Sequence, residues 1–409
     1  MKIDFTYAEK KAPNGYRDLE MLPFLHDNGK QRVVPCLALY GANASGKSNV
    51  IQAFSIFKSI ITKGLKPQFF NPNRLNTKHE TTSFELGFYL EASLYSYYME
   101  FDEKQIRAER LMAGQEILYE IETHKQTFMK IESEVYTIKK LQEVYAVECL
   151  DEKRYQTKPF LTVLGQGFAG LSKSVTSAFL YITKRIDVYP TDRPKFSICL
   201  DKLAGSENQE DLKEAFQKIV TTLRKFDIDI ARMEHDREQF SEESIPSFSG
   251  KPYTIKKLHP LAGYVDTIRS YHLDVHGEEV GFDFSEESEG TQRLSCLIGM
   301  LLYALERGTV VIIDELALSL HPAITTQLVR LFKNRRYNTL NAQLIFTTHN
   351  TEILDEDLLR ISEIGIINKT LKSGSTIKRV SDFKGVRNVT NFRKQYLRGT
   401  FTGIPFPYI

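Results

Sequence analysis

The sequence is poor in the features that would place it outside a reducing, aqueous compartment. Four cysteines, Cys36, Cys149, Cys199 and Cys296, are widely spaced and form no C-x-x-C pair. Two of them lie in apolar runs, so they read as reduced and mostly buried thiols. No apolar stretch reaches the ~20 residues of a membrane span; the longest runs from about Cys296 to Leu305. The opening Met1-Lys2-Ile3-Asp4-Phe5 is not a signal peptide. These absences predict a soluble, cytoplasmic protein. Charge of one sign is also lacking: the net charge is +2, so composition argues for no polyanionic partner. Internal repeats, low-complexity tracts and long heptad runs do not occur.

What is present is ordinary globular material. The chain has 409 residues, 42% apolar and 26% charged, enough for two or three domains with a core. Its organising stretch is Gly41-Ala42-Asn43-Ala44-Ser45-Gly46-Lys47-Ser48-Asn49, which contains G-x-x-x-x-G-K-S without a mismatch. A short apolar strand at 33–40 precedes it, and apolar positions at helical spacing follow it to about Gly64. Strand, glycine loop and helix are the context in which backbone N–H groups wrap phosphate oxygens and a helix points its positive end at them. Gly41 and Gly46 stand where a Cβ would obstruct the loop or the phosphate. Lys47 would bridge the β- and γ-phosphates, and Ser48 would hold Mg²⁺. The motif therefore predicts binding of a nucleoside triphosphate.

Elsewhere, periodicity sorts the chain coarsely. Residues 2–7 alternate and predict an edge strand; 8–32 and 66–75 read as loops. From 82 to 132 the period is two, predicting an antiparallel meander with strands near 84–90, 94–101, 107–112, 116–121 and 127–132. Residues 133–232 look mainly helical, with helices near 135–148, 171–184 and 209–226. A polar stretch with three prolines, 236–260, reads as loop, and 261–284 as short strands. Then an α/β pattern returns. A helix over 291–307 is closed by Gly308, followed by a strand at 309–313 and a helix at about 322–335. Strands at 343–348, 363–368 and 375–380 complete it.

Two further strand ends carry chemistry. Ile312-Ile313-Asp314-Glu315 is an apolar strand ending in two carboxylates. In this arrangement Asp314 would orient Mg²⁺, and Glu315 would take a proton from the water attacking the γ-phosphate. Adjacent strand residues face opposite ways, so both carboxylates reach one site only if the strand ends there. His349 closes the strand ending Thr347-Thr348 and is placed to sense the γ-phosphate. Before these, Ser288-Glu289-Gly290-Thr291-Gln292-Arg293 opens a helix. It reads equally as a phosphate contact or as an ordinary capping box.

In order and approximate spacing these four elements resemble the ABC-type ATPase head, an α/β P-loop fold. The wording around 41–49 and 288–293, Asp314-Glu315-Leu316-Ala317-Leu318-Ser319-Leu320-His321-Pro322, and Phe346 to Asn350 is similar to a narrower group. This group comprises the stand-alone bacterial ATPases of the overcoming-lysogenisation-defect (OLD) and RloA-like families, including PARIS-type anti-phage systems. Tyr396-Leu397-Arg398-Gly399 with Gly403-Ile404-Pro405-Phe406 also resembles the RloA-like group. By periodicity, 82–132 reads as an added antiparallel β-subdomain and 133–284 as a mostly helical insertion, a lid or partner-binding element. The resemblance implies a head formed by 1–81 and 285–409. It implies ATP and Mg²⁺ as ligands, with Ser48 and Asp314 on the metal and Lys47, Glu315 and His349 as catalytic groups. Gly41, Ala42, Asn43, Ala44, Ser45, Gly46, Lys47, Ser48 and Asn49 would hold the nucleotide. Ser288 and Gly290 would close on ATP held by another copy, so a homodimer or larger homo-oligomer follows. The signature is not the Leu-Ser-Gly-Gly-Gln of transporters, and Gln68 is only a positional match for the residue that links the γ-phosphate to the lobe.

Three functions follow. The first is an ATPase sensor or scaffold in phage defence, answering a phage-encoded trigger and controlling a separate effector, in that family a TOPRIM-type nuclease. The second is a DNA-repair or structural-maintenance type ATPase clamping nucleic acid, for which Lys333-Asn334-Arg335-Arg336 and Lys256-Lys257 are small basic clusters. The third is a transporter subunit, which the long β-rich stretch before the signature disfavours. A built-in TOPRIM nuclease would need about a hundred residues. Only 60 follow His349 in the 409-residue sequence. The acids Asp355, Glu356 and Asp357 read as partners of a helix start. The nuclease is therefore expected in a separate protein.

Overall fold

The computed structural model describes residues 2–6, 24–26, 31–72, 80–90, 93–122, 125–127, 137–167, 172–190, 209–239, 257–259, 264–370, 374–386 and 391–403. A hairpin of β1 (Phe24–His26) and β2 (Gln31–Val33) precedes β3 (Cys36–Gly41), which runs into the phosphate loop and α1 (Lys47–Lys63). A meander follows: β4 (Thr82–Leu90), β5 (Ser93–Phe101), β6 (Ile106–Ala113), β7 (Glu116–Glu122) and β8 (Lys125–Thr127). Next come α2 (Ile138–Glu148), α3 (Phe160–Gly167), α4 (Lys173–Lys184), β9 (Ile186–Tyr189) and α5 (Gln209–Lys225). Then β10 (Arg232–Gln239), β11 (Lys257–His259), β12 (Tyr264–Leu273) and β13 (Glu279–Asp283) lead to α6 (Glu289–Arg307). The chain closes with β14 (Val310–Ile313), α7 (Pro322–Lys333), β15 (Gln343–Thr347), β16 (Ile364–Thr370), β17 (Gly374–Arg379) and α8 (Phe392–Leu397).

The central sheet runs β17-β16-β3-β15-β14-β9. All neighbours are parallel except β17, the antiparallel edge. Its inner strands β3, β15 and β14 are mostly apolar because both faces are covered. Cys36, Ala38, Tyr40, Val311, Ile313, Leu344 and Phe346 pack on one side with residues of α6 and α7. Leu37, Leu39, Ile312, Ile345 and Ile367 pack on the other with Val50 and Ile51 of α1. The outer flank of α1 (Phe57, Ile60, Ile61) joins a second core with Tyr97, Phe101 and Tyr119 of the meander and Leu141, Phe160 and Ile182 of α2–α4. The division expected at residue 132 runs through this core.

The expected α/β architecture, parallel sheet plus antiparallel meander, is present. Three local readings change. Residues 2–6 form a single bridge, Thr6 to Val33, rather than a strand. Among the described residues, the stretch 133–284 holds four helices but also β9, which extends the central sheet beside β14. The polar 236–260 stretch was expected as loop. Yet β10 pairs with β12 over Arg232–Gln239, and β11 pairs with β12 as well. The expected features at 8–23, 73–75 and 128–136, and at Cys199, Lys256 and 404–406, lie outside the described residues. Cys36, Cys149 and Cys296 are buried free thiols, as expected. No helix among the described residues is long and apolar enough to cross a membrane.

Candidate nucleotide site

Three adjacent parallel strands, β3, β15 and β14, end at one edge of the sheet, and each end carries a motif. This is the edge where open α/β sheets bind ligands. At the end of β3 the chain turns through Ala44 (φ 60°) and Gly46 (φ 102°) into α1. A Cβ on Gly41 would lie 2.5 Å from Ser45 Oγ and 2.6 Å from Ile367 O, so only glycine fits. Lys47 is buried and donates from Nζ to the carbonyls of Gly41 at 3.0 Å and Ala42 at 3.1 Å. Burial pulls its pKa down, while the negative charges of Glu315 and Asp314 act to raise it. Asn43, Ala44, Ser48 and Asn49 are exposed along the loop and the first turn of α1.

At the end of β14, Asp314 is buried and Glu315 takes a left-handed φ of 51°. That turn at the strand end frees adjacent side chains from facing opposite ways. Thr347 orders both residues: its hydroxyl donates to Asp314 Oδ1 at 2.6 Å and accepts the Glu315 N–H at 2.8 Å. The Leu316 N–H bonds back to Thr347 O at 3.1 Å. His349 Nε2 lies 3.3 Å from Glu315 Oε1, an ion pair whenever the imidazole is protonated. Tyr40 at the end of β3 donates to Asn350 O at 2.9 Å, tying the histidine segment to the phosphate-loop strand.

The signature is arranged differently. The Ser288 hydroxyl caps α6 by accepting the Thr291 N–H at 3.1 Å, which agrees with the capping reading. A Cβ on Gly290 would meet Ser319 O at 3.3 Å. Arg293, buried, donates to Glu315 O at 2.5 Å. Ser288 is exposed at the end of α6, engaged with its own helix rather than with the phosphate loop. Gln68 is exposed in a short turn, Pro67–Phe69, after α1.

The structure thus gathers Lys47, Asp314, Glu315 and His349, and leaves Ser288 outward. Sequence reasoning missed Thr347 and Arg293, although both stand inside quoted motifs. In the parallel register Ile313 pairs with Phe346, which sets Asp314 beside Thr347. It also missed Ser375, whose hydroxyl donates to Ser45 O at 2.7 Å from 330 positions away.

The residues fit a nucleotide and its metal. Gly41 and Gly46 stand where a Cβ would collide with Ser45, Ile367 and Ser375, so glycine at both lets the loop take its shape. Ser45 Oγ is buried without a partner in the loop, and a lysine, an aspartate and a glutamate converge on it. Among the described residues no group of three or more His, Cys, Asp or Glu is arranged to hold a metal ion by itself. Asp355, Glu356 and Asp357 lie in a turn rather than at a helix start, with the Asp357 N–H on Asp355 Oδ1 at 2.7 Å. Of the basic cluster at 333–336, Lys333 is buried against Glu363 at 2.7 Å, so it is no nucleic-acid contact.

No curated protein matches the sequence. Among solved structures, similar chains include the SmcHead bound to the C-winged helix domain of ScpA. It shares 11% identity over 88% of this chain and 96% of that one, with a TM-score of 0.39. The SMC head domain from Thermotoga maritima shares 15% identity over 88% and 96%, with a TM-score of 0.37. An Smc head domain with an extended coiled coil, bound to the C-terminal domain of ScpA, derived from Pyrococcus furiosus, shares 10% over 88% and 95%, at 0.35. Residues 36–355 match the family described as "AAA domain, putative AbiEii toxin, Type IV TA system". That match runs from the phosphate-loop strand through the segment after His349, and the chain belongs to this AAA-domain family.

Proposed function

We propose that the protein hydrolyses ATP at a site shared by two copies of the chain, and that this cycle controls a separate effector in an anti-phage defence system. The observation that carries the enzymatic part is the convergence of Lys47, Asp314, Glu315 and His349 at one sheet edge. Lys47 binds the β- and γ-phosphates. Ser48 and Asp314 would hold Mg²⁺, which supplies neutralising charge on the phosphate oxygens. Glu315 removes the proton from the attacking water. His349, in contact with Glu315, holds that carboxylate and meets the γ-phosphate. Ser288, exposed at the start of α6 and capping its own helix, and Gly290 close on nucleotide held by a second copy.

The defence role rests on the resemblance to OLD- and RloA-like ATPases, and on a family description that names a toxin of a type IV TA system. In this reading a phage-encoded trigger acts on the assembly, and a TOPRIM-type nuclease is the released or activated effector.

Phosphate release by the purified chain with Mg²⁺ tests the enzymatic part. The parent is expected to turn over ATP at about 1–100 s⁻¹ or below. Glu315→Gln is expected to retain ATP binding and lose at least about 100-fold in turnover. Parental turnover by Glu315→Gln would put the base elsewhere. Co-purification from the native host tests the rest: a nuclease partner supports defence, and co-purified DNA supports a nucleic-acid clamp instead.

A further inference from the structure

The phosphate loop is held from a side that its own motif does not reveal. β17 begins at Gly374, and the next residue, Ser375, points at the rear of the loop. Its hydroxyl donates to Ser45 O at 2.7 Å. The same side chain abuts Gly46, where a Cβ would come within 2.6 Å of Ser375 Oγ. The start of the loop, at Gly41, is confined as well. A Cβ on Gly41 would lie 2.6 Å from Ile367 O of β16. Gly403, in a left-handed turn at φ 74°, runs so close that its Cβ would lie 3.8 Å from Gly41 Cα. The Tyr396 hydroxyl holds that turn by donating to Gly403 O at 3.2 Å, and the Tyr396 ring sits 5.6 Å from that of Tyr40. The tail motif at 396–403 therefore packs beside the loop.

The bond from Ser375 has a specific consequence. In a trans peptide the C=O and the following N–H point in opposite directions. Fixing Ser45 O toward β17 therefore fixes the direction of the Gly46 N–H, one of the loop donors that a phosphate would use. Gly46 has no Cβ and sits at φ 102°, so its own side of that peptide offers little resistance to rotation. Ser45 cannot supply the restraint either, since its hydroxyl is buried without a partner.

We infer that Ser375 is a positioning residue for the nucleotide site: it sets the Ser45–Gly46 peptide of the phosphate loop for phosphate binding. This rests on the reading that the loop holds ATP. Loss of one neutral hydrogen bond predicts about fivefold weaker binding, seen as a raised KM with kcat nearly unchanged.

The test uses the full chain, titrated with a fluorescent ATP analogue in Mg²⁺ and followed by steady-state kinetics. Ser375→Ala should bind about fivefold more weakly. Thr376→Ala is the control. It stands in the same hairpin, and its hydroxyl bonds Asn368 O at 3.4 Å, away from the loop. It should bind as the parent does, and the two variants should melt alike without nucleotide. Parental affinity in Ser375→Ala overturns the inference, and so does an equal loss in both variants. A parent that binds no more nucleotide than Lys47→Ala overturns the ATP reading, and this inference with it.

Discussion

A single hydroxyl orders two carboxylates with different tasks. Thr347 Oγ1 donates its one proton to Asp314 Oδ1 and accepts the Glu315 N–H with a lone pair, which uses its donor and one of its two acceptor sites. Thr347→Val keeps the shape and removes both bonds. Asp314 is buried, so its oxygen would lose a partner that water does not readily replace. Destabilisation of about 1–3 kcal/mol is expected. The larger effect should fall on chemistry. In the proposed mechanism, where Asp314 would hold the metal and Glu315 would act as the base, carboxylates released from their common anchor move by fractions of an ångström, enough for a loss of about tenfold or more in kcat. Melting and phosphate release measured on the same preparation separate the two effects. A Thr347→Val protein that melts lower yet turns over as the parent does would make Thr347 a packing residue alone.

At the scale of elements, Glu109 on β6 does for the second core what Thr347 does for the site. It is fully buried and accepts five hydrogen bonds. They come from Tyr97 and Tyr119 hydroxyls at 3.0 and 2.8 Å, Gln156 Nε2 at 2.8 Å, and the Phe160 and Leu161 N–H groups at 2.8 and 2.9 Å. The last two belong to the first turn of α3, where N–H groups take their partners from outside the helix and a carboxylate is also favoured by the helix dipole. Burial holds its pKa above the usual carboxylate value, although the Leu161 and Phe160 N–H groups and the Tyr119 and Tyr97 hydroxyls pull it back. Glu109→Ala would strand those donors inside the core, at a cost of at least about 3 kcal/mol. Proteolysis should then cut between the meander and α2–α4 before the central sheet is attacked. A melting point within a degree of the parent would show that the two parts are held by apolar packing instead. Nothing local in the sequence marks Glu109, because its partners lie as far as 52 positions away. By contrast β3, β14 and β15 were legible, since strands covered on both faces must be apolar at successive positions, and each ended in a recognisable motif. β9 escaped because it has four residues and contains Asp187, whose charge is met across the chain by Lys58 of α1 at 3.5 Å. β10 escaped because its residues are almost all polar, and only its pairing with β12 shows it. The site was readable where it is built from strand ends and hidden where it depends on contacts such as Ser375 with Ser45.

For the whole molecule, the outward position of Ser288 turns a motif into a statement about assembly. α6 is capped by Ser288 and tied through Arg293 to the backbone of Glu315. In the proposed assembly, the exposed signature end of one chain is linked through Arg293 to the backbone of its own Glu315 and closes on nucleotide held by another copy. If the site is shared, damage to the two halves should be complementary. Lys47→Ala removes phosphate binding, and Ser288→Arg blocks closure with a bulky cation; each should be inactive by itself. In a mixed dimer one site combines both defects, and the other combines an intact phosphate loop with an intact signature. Random pairing makes half the dimers mixed, and each mixed dimer has one working site of two. Co-expression should thus recover about a quarter of the parental turnover from the symmetry of the pairing alone. Differently tagged copies purified in tandem would concentrate the mixed species and raise that to about one half. No recovery in tandem-purified mixed dimers would mean that each chain completes its own site. The exposed start of α6 would then serve another partner.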